Sequence, residues 1–456
     1  MRNIFLQFLI FILLVPAAFS QNNEWQNLFN GKDLTGWKVL GGTASYAVEK
    51  GVIVGTTVAG SPNTFLVTEK EYGDFILEAE IKVEAGEGNS GIQTRSHFDP
   101  SASNGKGRVY GRQCEVDPSH RRWTGGIYDE GRRDWLYPVD LNHSAKNAYK
   151  KDDYNHLKIE CIGNEMKTWV NGVPVAYLID NLDPKGFIGL QVHSVNSPEL
   201  VGKKVYFKNI RIKTTGIKPT PFPDYVYVVN VVPNQLSLAE KKSGWKLLFD
   251  GKSSAGWRSA KGKTFPDKGW EIKNGVLSVL GKDGGESTNG GDIVTNEKYS
   301  AFDLSFEFNF TPGGNSGVKY FVTLDEETKG SNIGLEYQIL DDTLHADAKL
   351  GREGNRTLAS LYDMIKAQKQ TRFIKQAGQW NKGRVVVYPN DKVEHYLNGV
   401  KVLEYIRGSK EYRDLVAISK YVIWKNFGEA SSGHLLLQDH GNAVSFRSIK
   451  IKELNW

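Results

Sequence analysis

The stretch FLVTEKEYGDFILEAEIKVEAGEGNSGIQTRS, Phe65 to Ser96, decides the fold class. In its middle Phe75, Leu77, Ala79 and Ile81 alternate with Ile76, Glu78, Glu80 and Lys82. Strand side chains point to opposite faces in turn, so this period of two describes a strand with one face in a core. The stretch returns later as DIVTNEKYSAFDLSFEFNFTPGGNSGVKYFV, Asp292 to Val322, where Leu304, Phe306, Phe308 and Phe310 keep the apolar side.

The repeat extends in both directions. NLFNGKDLTGWKV from Asn27 matches LLFDGKSSAGWRS from Leu247, and YNHLKIECIGNEMKTWVNGVPV from Tyr154 matches WNKGRVVVYPNDKVEHYLNGVKV from Trp380. GFIGLQVHSVN from Gly186 answers HLLLQDHGN from His434. A chain of 456 residues is too long for one ordinary core, and the repetition makes it a tandem duplication. Asn171-Gly172 and Asn398-Gly399 have the residues that favour φ > 0 in hairpin turns. Many short antiparallel strands without long helical stretches predict an all-β protein with one jelly-roll sandwich per copy, at residues 24–213 and 244–456. Residues 214–243 carry Pro219, Pro221, Pro223 and Pro233 and read as a linker. Its Ser237-Leu-Ala-Glu240 is a capping box, which predicts a short helix leading into copy two.

Residues 1–20, MRNIFLQFLIFILLVPAAFS, place Arg2 before an apolar run and small residues before a cut, so a signal peptide and a periplasmic or secreted protein are expected. The apolar run is short of a membrane span, and no later segment approaches that length. The +6 charge is dispersed, with neither a basic block nor a nucleic-acid motif, so no nucleic acid is expected as partner. Cys114 and Cys161 are the two cysteines; a disulfide and two small buried apolar residues are both open, whereas a structural zinc site is not supported.

Function should lie where polar side chains replace apolar ones in strands. In copy one, Gln113, Glu115 and Asp117 share a face opposite Cys114 and Val116; in copy two, Glu336 and Gln338 lie opposite Tyr337 and Ile339, with Asp341, Asp342 and His345 at the strand end. The following loops carry Tyr128-Asp129-Glu130 with Arg132 and Arg133, and Asn355-Arg356 with Tyr362-Asp363. Thr168-Trp169 and His395-Tyr396 precede the Asn-Gly turns, and Gln191-x-His193 and Gln438-x-His440 close the copies. Each group has a bland reading: a histidine held in a core, carboxylates facing water, loop arginines paired to loop acids. Their joint recurrence in two diverged copies favours a shared cleft in each. No GxSxG elbow or phosphate-cradling Gly-rich loop occurs, so Ser-His-Asp and nucleotide chemistry are not supported. No metal site is read with certainty; a divalent cation held by His345, His395, His440 and Asp342 stays open, with no HExxH pair to fix it.

Through LFDGKSSAGW, GNSG, EYQILDD, SLYD, VEHYLNG and LQDHG in copy two, and LFNGKDLTGW, GNSGIQTRS, YGRQCEVDPS, GGIYDEGRR, TWVNGVP and IGLQVHS in copy one, the chain resembles the 3-keto-disaccharide hydrolase family. The resemblance implies two concanavalin-like jelly-roll β-sandwich domains and an enzyme cleaving glycosides whose glucose C3 hydroxyl is oxidised to a ketone. A C3 ketone acidifies the C2 hydrogen, so proton abstraction, elimination of the aglycone and hydration form a path that needs a base, an acid and donors for the enolate. Carried to matching positions, it implies His440 or His345 as base, Glu336 or Asp342 as acid or metal ligand, Arg356 and Gln338 as ketone donors, and Tyr362 as positioning group, with His395 and Gln438 beside them. In copy one the counterparts are His193, Glu115, Asp117, Gln113, Arg95 and Tyr128, with Trp169 and Gln191 nearby. The expected partner is an oligosaccharide or glycoside. A glycan-binding module using exposed tryptophans and a glycosidase with a carboxylate pair are the alternatives.

Overall fold

A computed structural model describes residues 25–84, 88–282, 285, 289–325, 327–328 and 331–455. The segment read as a signal peptide lies outside them. Among the described residues, strands dominate and no helix is long and apolar enough to cross a membrane.

Each copy is a jelly-roll sandwich of two sheets. Copy one pairs a nine-stranded sheet with a seven-stranded one, and copy two an eight-stranded with a five-stranded sheet. In Phe75–Val83 every second residue is buried, as the alternation predicts. This strand sits in the larger sheet between Asn155–Ile162 and Lys204–Lys213, and its counterpart Phe302–Phe310 sits between Asn381–Val387 and Val444–Glu453. The cores fill the space between sheets, with Phe75, Ile81, Ile92, Ile159 and Phe207 in copy one and Phe302, Phe306, Tyr337, Val385 and Phe446 in copy two. Cys114 and Cys161 are unpaired thiols buried in the first of these cores. Burial raises both thiols above their ordinary range, which keeps them unreactive.

The Pro-rich segment is more structured than its prolines suggest. Val228–Asn230 adds a parallel strand beside Val173–Ile179, because the last proline before it, Pro223, leaves free the amides that bond there. Leu238–Lys242 is helical, with Ser237 Oγ accepting from Glu240 N and Glu240 Oε2 accepting from Ser237 N. The same Glu240 carboxylate pairs with Lys450 of copy two and accepts from Asn230 at 2.7 Å, so the helix ties the second sandwich to the edge of the first.

Copy two also reaches into copy one. Phe373 is buried in the core of copy one, 5.2 Å from the Trp123 ring. Two residues on, Lys375 Nζ donates to Asp134 Oδ2 at 2.6 Å and to Arg133 O at 3.0 Å.

Candidate active site

The smaller sheet of copy one presents a polar outer face. Arg108–Val116 lies between Ser90–Asp99 and Ile127–Glu130, and Phe187–Val192 flanks Ser90–Asp99 on the other side. Period two sends Ile92, Cys114 and Leu190 inward and leaves Gln93, Gln113, Glu115 and Gln191 on the opposite face. Gln93 stands opposite Gln113, and Gly91 opposite Glu115. A Cβ on Gly91 would come within 2.4 Å of the Gln113 amide, and one on Gly317 of copy two within 2.3 Å of Glu336 Oε1. The second glycine of GNSG therefore makes room for a polar side chain from the next strand.

Gln113, Glu115 and Gln191 line a cavity of 610 Å³ together with Asp117, Arg121, Tyr128, Glu130 and His193. Glu115 accepts from Asn89 Nδ2 at 2.6 Å and from Gln113 Nε2 at 2.8 Å, and Gln113 Nε2 lies 3.1 Å from Gln191 Oε1. Burial is the largest influence on Glu115 and, with the Asp117 and Glu130 charges, outweighs both hydrogen bonds; its pKa is pushed up to about 7. Glu130 is also raised, by burial. Asp117 is paired with Arg121 at 2.8 Å. Tyr128 donates to Asp134 Oδ1 at 3.1 Å, the carboxylate that Lys375 of copy two also holds.

His193 Nδ1 lies 2.6 Å from Ser194 O. A carbonyl can only accept, so Nδ1 carries the proton and Nε2 is left with its lone pair. Burial lowers the His193 pKa, which keeps the ring neutral. The cavity thus contains a carboxyl biased toward its protonated form and an imidazole biased toward its basic form.

Copy two repeats the strand network with the acid and amide exchanged. Glu115 N donates to Gly126 O and its carbonyl accepts from Gly125 N; Gln338 N donates to Ser360 O and its carbonyl accepts from Ala359 N. Gln338 is therefore the positional match of Glu115, and Glu336 of Gln113. The Gln338 amide, with its nitrogen assigned from the surrounding network, reaches Glu336 Oε1 at 3.1 Å, the counterpart of the Gln113–Glu115 bond. Ser316 Oγ donates to Gln438 O at 2.8 Å as Ser90 Oγ does to Gln191 O, so Gln438 and His440 occupy the places of Gln191 and His193. His440 and His345 meet edge to face with ring centroids 6.0 Å apart, and His345 Nε2 lies 3.5 Å from the side-chain amide of Asn315. Asp347 N donates to His345 Nδ1 at 3.2 Å, which uses that lone pair and puts the proton of a neutral ring on Nε2. His345 is arranged as a donor, while His440 has no bond to its buried Nδ1 among the described residues.

Several residues expected at a cleft stand elsewhere. Arg95 is on a bulge at φ 46° that turns its guanidinium away; it donates to Gly73 O, Gly163 O and Asp74 Oδ1 at 2.7–2.8 Å and holds turns together. Trp169 belongs to the other sheet and packs against Phe222 of the linker, with Lys158 over its ring at 4.3 Å. His395 is fully buried between the sheets, bonded to Tyr320 Oη at 2.8 Å and Ala359 O at 3.0 Å; burial pulls its pKa down to about 4. Its counterpart Thr168 donates to Gly125 O at 2.6 Å, so this position braces the loop behind the site in both copies. Asp342 pairs with Lys369 and accepts from Leu358 N at 2.6 Å. Arg356 spends its guanidinium on Asp363 and Asp347 at 2.7 and 3.0 Å, and Tyr362 donates to Asp347 at 2.8 Å. The four residues considered for a cation do not converge, because His395 is in the core and Asp342 is tied to Lys369. Among the described residues no group of three His, Cys, Asp or Glu side chains is arranged to hold a metal ion.

Four contributors were given no role from the sequence. Asn89 and Asn315 lie in the repeated GNSG, which carried the signal for them. Glu130 stood in a loop already noted for its charge. Arg372, on copy two, lines the cavity of copy one, and no pattern within either copy could have placed it there.

A family model described as a 3-keto-alpha-glucoside-1,2-lyase-like domain matches residues 24–213 and again 244–452. The chain is 36% identical over 243 residues to the 3-keto-disaccharide hydrolase of Bacteroides thetaiotaomicron, covering 49% of this chain and 82% of that protein. A solved structure from Parabacteroides distasonis, provisionally classed as a glycosyl hydrolase, is 31% identical, covers 49% of this chain and all of its own, and superposes with a TM-score of 0.42. The carbohydrate-binding module CBM66 of Bacillus subtilis is 20% identical, with 39% and 96% covered and a TM-score of 0.28.

Proposed function

Both halves of the chain belong to the 3-keto-alpha-glucoside-1,2-lyase-like domain family, and from that membership we propose that the protein cleaves the glycosidic bond of 3-keto-glucosides by elimination and hydration, and from its apolar N-terminal segment that it is exported. The observation that carries the reading is the pairing, in one cavity, of a neutral imidazole with an available Nε2 and a carboxyl whose pKa is pushed up to about 7.

The chemistry follows from these two groups. His193 Nε2 takes the C2 hydrogen made acidic by the C3 ketone. The electron pair left at C2 forms the C1–C2 double bond as the C1–oxygen bond breaks. Protonated Glu115 supplies the proton to the departing oxygen. The Gln191 amide faces the cavity as the donor for the enolate oxygen that develops at C3. Water then adds to C1 as one of its protons passes to the Glu115 carboxylate, and the His193 imidazolium returns its proton to C2, giving the free 3-keto sugar and regenerating both groups. In copy two, His440 takes the place of His193, and Glu336 with Gln338 that of the Gln113–Glu115 pair; His345, with its Nδ1 lone pair used, acts as a donor.

The test compares a glucoside with its 3-keto form. Release of aglycone from the keto form alone supports the reading. Turnover of the plain glucoside points to a carboxylate-pair glycosidase, and binding of either without turnover to a lectin-like role; each overturns it.

A further inference from the structure

A second cavity, of 360 Å³, lies at the junction of the two copies, on the far side of Trp135 from the catalytic cavity. Six cationic side chains line it: Arg132, Arg133, Lys375, Lys382, Arg384 and Arg447. Glu307 is the one carboxylate among the described lining residues. Five of the six cations are already matched. Arg132 and Arg133 share Asp129 and reach Asp183 and Asp180, Lys375 holds Asp134, Arg384 holds Asp303, and Arg447 holds Glu307.

Lys382 is the exception. It stands opposite Glu307 on the neighbouring strand, but that carboxylate is bonded to Arg447 Nε at 2.5 Å. The Lys382 ammonium is buried and finds no acceptor among the described residues; the Tyr227 hydroxyl, also on the cavity wall, is buried and equally without a partner. Lys382 Nζ lies 5.6 Å from the Tyr227 ring centre. Buried donors are ordinarily satisfied, and a buried ammonium without a counter-charge is costly. Trp135, Leu136, Leu141 and Val229 give the wall an apolar part, and Gln379, Asn381 and Asn398 add neutral polar groups. The volume is in the range of small-molecule sites, which combine such walls with a few convergent polar groups.

We propose that this junction cavity is a binding site for an acidic pyranose, a uronate. Its carboxylate meets Lys382 Nζ and the Tyr227 hydroxyl, and the C–H face of the ring lies on the apolar wall. One uncompensated cation calls for one negative charge, and the C–H face of a pyranose chair fits a wall of tryptophan and aliphatic side chains. The site draws on both copies, so a single copy would not form it. It is independent of the catalytic reading, since none of Lys382, Tyr227 and Arg384 lines the cavity of Glu115.

The test is titration of the full-length protein with galacturonate, read by tryptophan fluorescence because Trp135 and Trp380 line the cavity. Glucose and acetate serve as the neutral and ring-free comparisons. Saturable binding of galacturonate is expected, tighter than either comparison, weakened at least tenfold by Lys382→Met and severalfold by Tyr227→Phe, and unchanged by Glu115→Gln. Tyr227→Phe is nearly isosteric and decides the matter if Lys382→Met does not fold. Absence of saturation, equal binding of acetate or glucose, indifference to both junction variants, or loss with Glu115→Gln would each overturn the proposal.

Discussion

Replacing Glu115 by Gln tests the catalytic assignment most directly. An ordinary glutamic acid with a pKa of 4.5 is protonated in about one molecule in three hundred at pH 7, whereas one at about 7 is protonated in about half. Burial therefore raises the share of Glu115 ready to give up a proton by roughly 150-fold. If that proton goes to the leaving oxygen, kcat/KM of the first site should fall about 30-fold between pH 6 and 8.5, following the loss of the acid form. The Gln variant should lose about 10²–10⁴ in rate and, with it, the alkaline limb. Asn89→Leu removes a hydrogen bond that favours the charged form, so its alkaline limb should move to higher pH. The assay is aglycone release from a 3-keto-glucoside in a chain whose second site is silenced by His440→Ala and Glu336→Gln. Unfolding midpoints check that each variant is folded. A Gln variant that keeps both the wild-type rate and the alkaline limb would refute the role given to Glu115.

Other expectations follow from the same geometry. His193→Ala in the silenced chain should remove first-site turnover, and His440→Ala with His193 intact should reduce the total rate by the contribution of copy two; steady-state kinetics on the keto-glucoside measure both. His395 titrates at about 4 when folded against 6.5 when free, so its contribution to stability is present above pH 6.5 and lost as pH falls through 4, about 3 kcal/mol in all; denaturant titrations of wild type and His395→Gln at pH 4.5 and 7.5 should show the variant losing that dependence. Cys114 and Cys161 should react with a thiol reagent only after denaturation, two per chain, and reductant should leave the melting temperature unchanged. Lys375→Met releases Asp134 and should raise KM at the first site severalfold while sparing the second, as read in variants with one site active at a time.

Much of the fold and part of the site could be read from residue order, for identifiable reasons. Alternation in Phe75–Val83 and Phe302–Phe310 marks a half-buried strand whatever lies around it, and duplication doubled the signal. Gln113, Glu115, Gln191 and His193 were legible because polar side chains interrupt strands otherwise built for a core. Arg95 misled because it sits within the bulge at Thr94–His97, where the period of two breaks. His395 and Trp169 misled because alternation says which residues share a face but not whether that face looks to the core, the linker or the cavity. His345 and His440 could be told apart only by a backbone amide, that of Asp347, which no side-chain pattern reveals.

Phe373 and Lys375 give the duplication a direction. The second half supplies a plug and an anchor to the first, and among the described residues the core of the second takes in no side chain of the first. Cutting the gene at the proline-rich junction would therefore yield unequal fragments: the leading one would open a hole beside Trp123 and free the carboxylate that steadies Tyr128, while the trailing one would carry a stranded aromatic on its surface. Evolution faces the same asymmetry, so once this graft was in place the ancestral single unit could no longer be recovered by simple deletion.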